Sequence, residues 1–442
     1  MSAKAKALYL VAAVAVVYGI VVASAWWSDS RAGAEPVASA PATPALIERG
    51  QYLARLGDCA ACHSIPGKPA FSGGLSMGTP IGAIYSTNIT PDKTYGIGSF
   101  SLADFDRALR FGVSRGHTLY PAMPFPSYAN TMPADVEALY AYFLHSVTPA
   151  AVPNRKEDIP FPFSMRWPLT YWRWAFAPAP KPFEGAGEAA TPVARGQYFV
   201  EGLGHCGECH TPRDLAMKVK AQTARDGEAF LAGAVIDGWL APSLRRGGPD
   251  SLNAWSEAEI EAFLKTGTNR TGIAFGSMSD VIVHSTQFMK PEDLSATAAF
   301  LKTLQAAGAG KEESFAYDEN TDRLLRAGDA TARGAVLYLD NCATCHRPDG
   351  QGYEGVFPSL AGNPVVQGKD PTSLISIVMR GSETPKTSGT PAQFTMPAFA
   401  WRLSDAEIAD VISFVRSSWG NQALAIEARD VTGHHERTSS SH

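Results

Sequence analysis

The sequence predicts a mainly α-helical protein: three small helical domains in tandem behind one N-terminal apolar helix. Three observations carry that expectation. The pattern Cys-x-x-Cys-His occurs at Cys59, Cys62, His63, at Cys206, Cys209, His210 and at Cys342, Cys345, His346, and it uses all six cysteines of the 442 residues. Each copy lies inside a longer repeat, with an Arg-Gly pair ahead of it and two amphipathic segments behind. An uncharged apolar run from Ala7 to about Trp27 precedes them all.

That run is the first element. Lys4 and Lys6 stand before it and Trp26-Trp27 close it, as expected of a helix crossing a bilayer with an aromatic pair at the interface. A cleaved signal peptide is the competing expectation, with Ala32-Gly33-Ala34 as a cleavage site. Both leave the lysines in the cytoplasm and export everything after residue 28. The first 27 residues are expected to stand outside the globular fold.

Each repeat then opens on a short leading helix that contains Arg49-Gly50, Arg195-Gly196 or Arg333-Gly334. A middle helix follows each motif. Ser101-x-x-Asp104 and Ser256-x-x-Glu259 predict capping boxes for the first two, and Asp370-Pro371 predicts N-cap and first-turn proline for the third. Arg110/Gly112, Lys265/Gly267 and Arg380/Gly381 predict their ends. A closing helix follows: Val136, Leu139, Tyr140 and Phe143, or Ile408, Val411, Ile412 and Val415, fall on one helical face. Leu294, Thr297, Ala298 and Leu301 do so more weakly.

The expected layout is residues 1–42 for the anchor or signal segment and linker, 43–148 for the first domain, 149–190 for an aromatic, proline-rich linker, 191–310 for the second domain, 311–327 for a linker, 328–421 for the third domain and 422–442 for a polar, disordered tail carrying His434, His435 and His442. The linker holds Phe161, Phe163, Trp167, Tyr171, Trp172, Trp174, Phe176 and Phe183. It reads either as a strap over the first two domains or as a docking surface for a partner, a membrane or a quinone. The formal net charge of -5 with no basic run excludes a nucleic-acid binder.

Cys-x-x-Cys-His is the attachment signature of c-type haem: two thiols bond the vinyl groups, and the histidine reaches the iron. Half a zinc site or a thioredoxin-like pair explains one Cys-x-x-Cys, but not three copies each followed by histidine. Three covalently bound haem c groups are therefore expected. For the sixth iron ligand the register selects Met123, Met278 and Met396, each in a loop between middle and closing helix. Core packing is the competing role for these methionines. Met132 and Met289 lie too close to the closing helices. His/Met ligation leaves no open position and suits an electron carrier. Carbonyls near Pro66, Pro212 and Pro348 are expected to hold the second nitrogen of each histidine, and Arg107, Arg110 and Arg115 are candidates to neutralise propionates.

In Gly50-Gln51-Tyr52-Leu53, Tyr85-Ser86-Thr87-Asn88-Ile89-Thr90-Pro91-Asp92, Tyr120-Pro121-Ala122-Met123-Pro124 and Asp158-Ile159-Pro160-Phe161-Pro162-Phe163, the chain resembles the triheme cytochrome c subunits of bacterial membrane-bound dehydrogenases. The resemblance covers most of residues 43–421 and implies three tandem cytochrome c domains. It implies electron flow from a catalytic subunit of quinoprotein, flavoprotein or molybdenum type to ubiquinone or an oxidase, at the periplasmic side of the inner membrane. No residue of this chain is then expected to perform substrate chemistry. Relatives with a C-terminal membrane-binding extension differ from this chain, where about 20 polar residues follow Trp419 and the N-terminal run is expected to anchor instead, as suits the molybdenum aldehyde dehydrogenase type. A multihaem peroxidase needs one open iron and nearby acid–base groups; an oxidase-linked cytochrome shares every motif.

Overall fold

The computed structural model describes residues 2–33, 41–79, 81–181, 183, 191–247, 255–305, 315–390 and 392–439. Ala34, His442 and parts of the two expected linkers lie outside them. The chain forms two compact units, one of residues 1–54 and 62–184, the other of 55–61 and 185–442.

Leading, middle and closing helices recur three times. In the first unit they are Pro44–Leu56, Leu102–Phe111 and Pro133–His145. The second unit holds Pro192–Glu201, Glu257–Thr266 and Pro291–Thr303, then Arg333–Asn341, Thr372–Arg380 and Asp405–Arg416. Ser101 with Asp104 and Ser256 with Glu259 form the expected capping boxes. The third middle helix starts one residue later than expected: Pro371 is its N-cap, and the Asp370 carboxylate accepts from Thr372 N at 2.8 Å. Gly112, Gly267 and Gly381 end the middle helices at positive φ, where a side chain is strained.

The Arg-Gly pairs mark where leading and closing helices cross. A Cβ on Gly50 would lie 1.8 Å from Ala138 O, and one on Gly196 1.9 Å from Ala296 O. The preceding arginine reaches an acid in the first turn of the closing helix. Arg49 Nε donates to Asp135 at 2.7 Å, Arg195 pairs with Asp293, and Arg333 pairs with Glu407 at 3.1 Å. Asp135 and Asp293 are buried, so each depends on its arginine and on the positive helix N-terminus.

Four segments depart from expectation. The N-terminal helix, Ala3–Arg31, does belong to the first unit at its C-terminal end. Buried Asp29 pairs with Arg173 at 3.0 Å and accepts from Thr118 N at 3.0 Å and Thr170 Oγ1 at 2.9 Å. The aromatic linker contains a helix, Trp167–Phe176, which packs on that N-terminal helix. Apolar composition predicts the span and says nothing of one buried aspartate beyond its end. The third is the polar tail, which forms a helix, Ala428–Ser439, with Val431 and His434 buried against the closing and middle helices before it. His434 Nε2 lies 2.8 Å from Ser376 Oγ. Its few buried residues share one face, and that suffices to dock an otherwise polar helix. The expected linker 311–327 likewise carries a helix, Asn320–Ala327.

Candidate haem sites

Each Cys-x-x-Cys-His is a short helical turn: Cys59–His63, Gly207–His210 after Cys206, and Ala343–His346 after Cys342. All six cysteines are half-buried and none is in a disulfide. Directly after the turn the chain repeats one backbone device. The carbonyl of His63 accepts from Gly73 N at 2.7 Å, that of His210 from Gly233 N at 2.7 Å and that of His346 from Gly352 N at 3.1 Å. All three glycines have positive φ.

From these glycines the chain runs into a β turnaround and returns. The turnarounds are Ser76–Thr79 with Gly82–Tyr85, Ala234–Ile236 with Trp239–Ala241, and the single bridge Tyr353 to Phe357. One or two residues later a carbonyl meets the histidine. His63 Nδ1 donates to Thr87 O at 2.6 Å, His210 Nδ1 to Pro242 O at 2.7 Å and His346 Nδ1 to Pro358 O at 3.0 Å. Since a carbonyl only accepts, Nδ1 carries the proton and the lone pair falls on Nε2, the form a metal needs. Burial lowers the pKa of all three histidines, against the opposing carbonyl bond, and so keeps the rings neutral. It also pushes the Cys206 and Cys342 thiols up to about 12.

The expected acceptors near Pro66, Pro212 and Pro348 are therefore replaced by carbonyls 12 to 32 residues after the histidine. The segment in between varies in length, which hides the repeat. A partial signal exists in Pro242-Ser243-Leu244 and Pro358-Ser359-Leu360, matched loosely by Thr87-Asn88-Ile89.

A second hairpin device brings in the methionines. Leu119 N donates to Gly112 O and Ala274 N to Gly267 O, both at 2.7 Å, and the chain reaches Met123 and Met278 four residues later. Met123 lies in a turn and is half-buried. Met278 is not in a loop: it lies in the first turn of the helix Ser277–His284. Met396 lies in a two-residue strand paired with Ser382.

In the second unit an apolar cavity of about 360 Å³ brings Cys206, Cys209, His210 and Met278 together with Cys342, His346 and Met396. Met289, which sequence register set aside, lines it too. The residues fit haem c: a paired thiol, a neutral imidazole oriented from behind, a thioether and an apolar chamber. The three arginines named as propionate candidates each already make a bond within the first unit. Arg107 donates to Ala32 O at 2.7 Å, Arg115 to Gly96 O at 2.8 Å, and buried Arg110 to Asp106 at 2.7 Å.

Residues 331–419 match the family model described as Cytochrome c. The chain is 50% identical over 395 residues to the gluconate 2-dehydrogenase cytochrome c subunit of Pantoea cypripedii, covering 88% of this chain and 89% of that one. It is 48% identical over 395 residues to the cytochrome c subunit of the alcohol dehydrogenase (quinone) of Komagataeibacter europaeus, covering 88% and 84%. The fructose dehydrogenase cytochrome subunit of Gluconobacter japonicus is 36% identical over 417 residues, covering 89% and 84%.

Proposed function

The chain belongs to the cytochrome c subunits of membrane-bound dehydrogenases, and from that membership we propose that it carries three haem c groups and relays electrons from a catalytic dehydrogenase subunit to ubiquinone or a terminal oxidase. The relay works at the periplasmic face of the inner membrane, with the N-terminal helix as anchor. Haem c supplies a reversible one-electron iron couple, raised in potential by methionine. Cys59 and Cys62, Cys206 and Cys209, and Cys342 and Cys345 form the thioether links. His63, His210 and His346 would hold the iron through Nε2, and Met123, Met278 and Met396 would supply the second ligand at each site, leaving none for small molecules.

The observation that carries three sites rather than one is the recurrence of the Nδ1–carbonyl bond, with the same His-carbonyl-to-Gly bond beside it, at all three motifs. Such a bond fixes the tautomer and ring plane of a ligating histidine, work that an unligated histidine does not need. The recruited dehydrogenase supplies the substrate chemistry.

The test is a redox titration of the full chain beside its Met278→Ala and Met289→Ala variants. Three haems per chain are expected, with Met278→Ala lowering one potential and admitting carbon monoxide at that iron, and Met289→Ala leaving ligation intact. The reverse pattern would move the ligand to Met289. Fast stoichiometric carbon monoxide binding to the unaltered chain would overturn the relay in favour of a haem enzyme.

A further inference from the structure

We propose that the helix Trp167–Phe176 and the preceding loop, residues 161–166, are inserted in the outer leaflet of the bilayer beside the N-terminal helix. The first unit then enters the membrane instead of hanging from a tether. This rests on the reading above that the N-terminal helix is retained and spans.

Ala7 to Trp27 is 21 residues. At about 1.5 Å per residue that is about 31 Å, the thickness of a hydrocarbon core. The contacts with the second helix run far down that span. Trp174 Nε1 donates to Ser28 Oγ at 2.8 Å, at the outer end. The Tyr171 hydroxyl donates to Val21 O at 2.9 Å and lies 2.7 Å from Ser24 Oγ. The Trp167 ring meets the Tyr18 ring edge-on at 5.7 Å between centroids, and the Tyr18 hydroxyl lies 3.8 Å from Met165 Sδ. Ser28 to Tyr18 is ten residues, about 15 Å of helix, which is half the core. If the first helix spans, these partners stand at hydrocarbon depth with it.

The inserted segment has the chemistry to stand there. From Ile159 to Pro180 the only charged residues are Arg166 and Arg173. Arg173 is ion-paired to Asp29, with 13% of its side chain exposed. Arg166 donates to Thr118 O at 2.7 Å and lies 4.1 Å above the Tyr120 ring. Both charges thus turn inward, as intramembrane arginines must. Outward stand Phe161 (80% exposed), Phe163 (58%) and Trp174 (51%). A water-facing patch of that kind is a liability, and at a lipid interface it is an anchor. Continuity with a spanning helix selects lipid over a protein as the occupant.

The experiment reconstitutes the full chain, with its catalytic partner, in nanodiscs containing a lipid with a diazirine on its acyl chain. After illumination, adducts are mapped by mass spectrometry. Adducts are expected within residues 3–27 and on Phe161, Phe163 or Trp174, and none on Trp401, which is as exposed as Phe161 but lies in the other unit. In a Phe161→Glu, Phe163→Glu variant the adducts of the loop are expected to be lost, while those of the N-terminal helix persist. An intact chain labelled only within 3–27 overturns the insertion and leaves the spanning helix standing, and labelling of Trp401 at the same yield overturns it as well. A mature chain whose mass lacks the first 34 residues defeats the spanning premise itself. Neither result touches the electron relay, which is read by potentiometry.

Discussion

At the level of single residues, the orientation of each motif histidine depends on a glycine that does not touch its ring. A Cβ on Gly352, at φ 60, would lie 2.6 Å from the Pro358 carbonyl oxygen that holds His346 Nδ1. Gly352→Ala therefore pushes the acceptor away. With the proposed three haems bound, it is expected to weaken the imidazole as a donor to iron and raise one potential, leaving the other two unchanged in a redox titration. Glu201 makes a different kind of prediction. It is buried, accepting from Ala224 N at 2.8 Å and Gln197 Nε2 at 3.0 Å, and burial raises its pKa against those bonds. The folded protein then binds a proton there more tightly than the unfolded chain. The stability it contributes is complete below the ordinary value of 4.5 and is lost as pH climbs through the raised one. Denaturant midpoints measured from pH 4.5 to 7 are expected to fall less in Glu201→Gln than in the unaltered chain. The Cys-x-x-Cys-His turns were legible because their spacing repeats, and the same register picked out Met278 and Met396, which line one cavity. The Thr87, Pro242 and Pro358 carbonyls were not, because main-chain groups leave no letter and the intervening loops differ in length.

Among the elements, caps and stops were the most legible, since capping boxes and glycine C-caps are set by a few adjacent residues. The Arg-Gly pairs announced a repeat without revealing their role, which needs the closing helix about 90 residues away. The N-terminal helix is the case where composition misled. Its apolar run hides a polar lock one turn beyond it, with Asp29 holding Thr118, Thr170 and Arg173. Asp29→Ala leaves Arg173 buried without its partner, a loss of about 3 kcal/mol for such pairs. The first unit is expected to unfold at lower temperature, and protease is expected to cut between the N-terminal helix and residue 44 sooner. The tail helix, Ala428–Ser439, was missed for the converse reason: two buried residues in a polar segment give no visible period.

For the whole molecule, the second and third motifs meet at one place. The second unit encloses one apolar chamber of about 360 Å³, walled by helices from two repeats. Cys206, His210 and Met278 face it from one repeat, Cys342, His346 and Met396 from the next. Because both motifs face the same chamber, a substitution that reshapes its wall is felt at both. On the proposed relay, two of the haems would share that chamber, and an electron would pass from one to the other without leaving it.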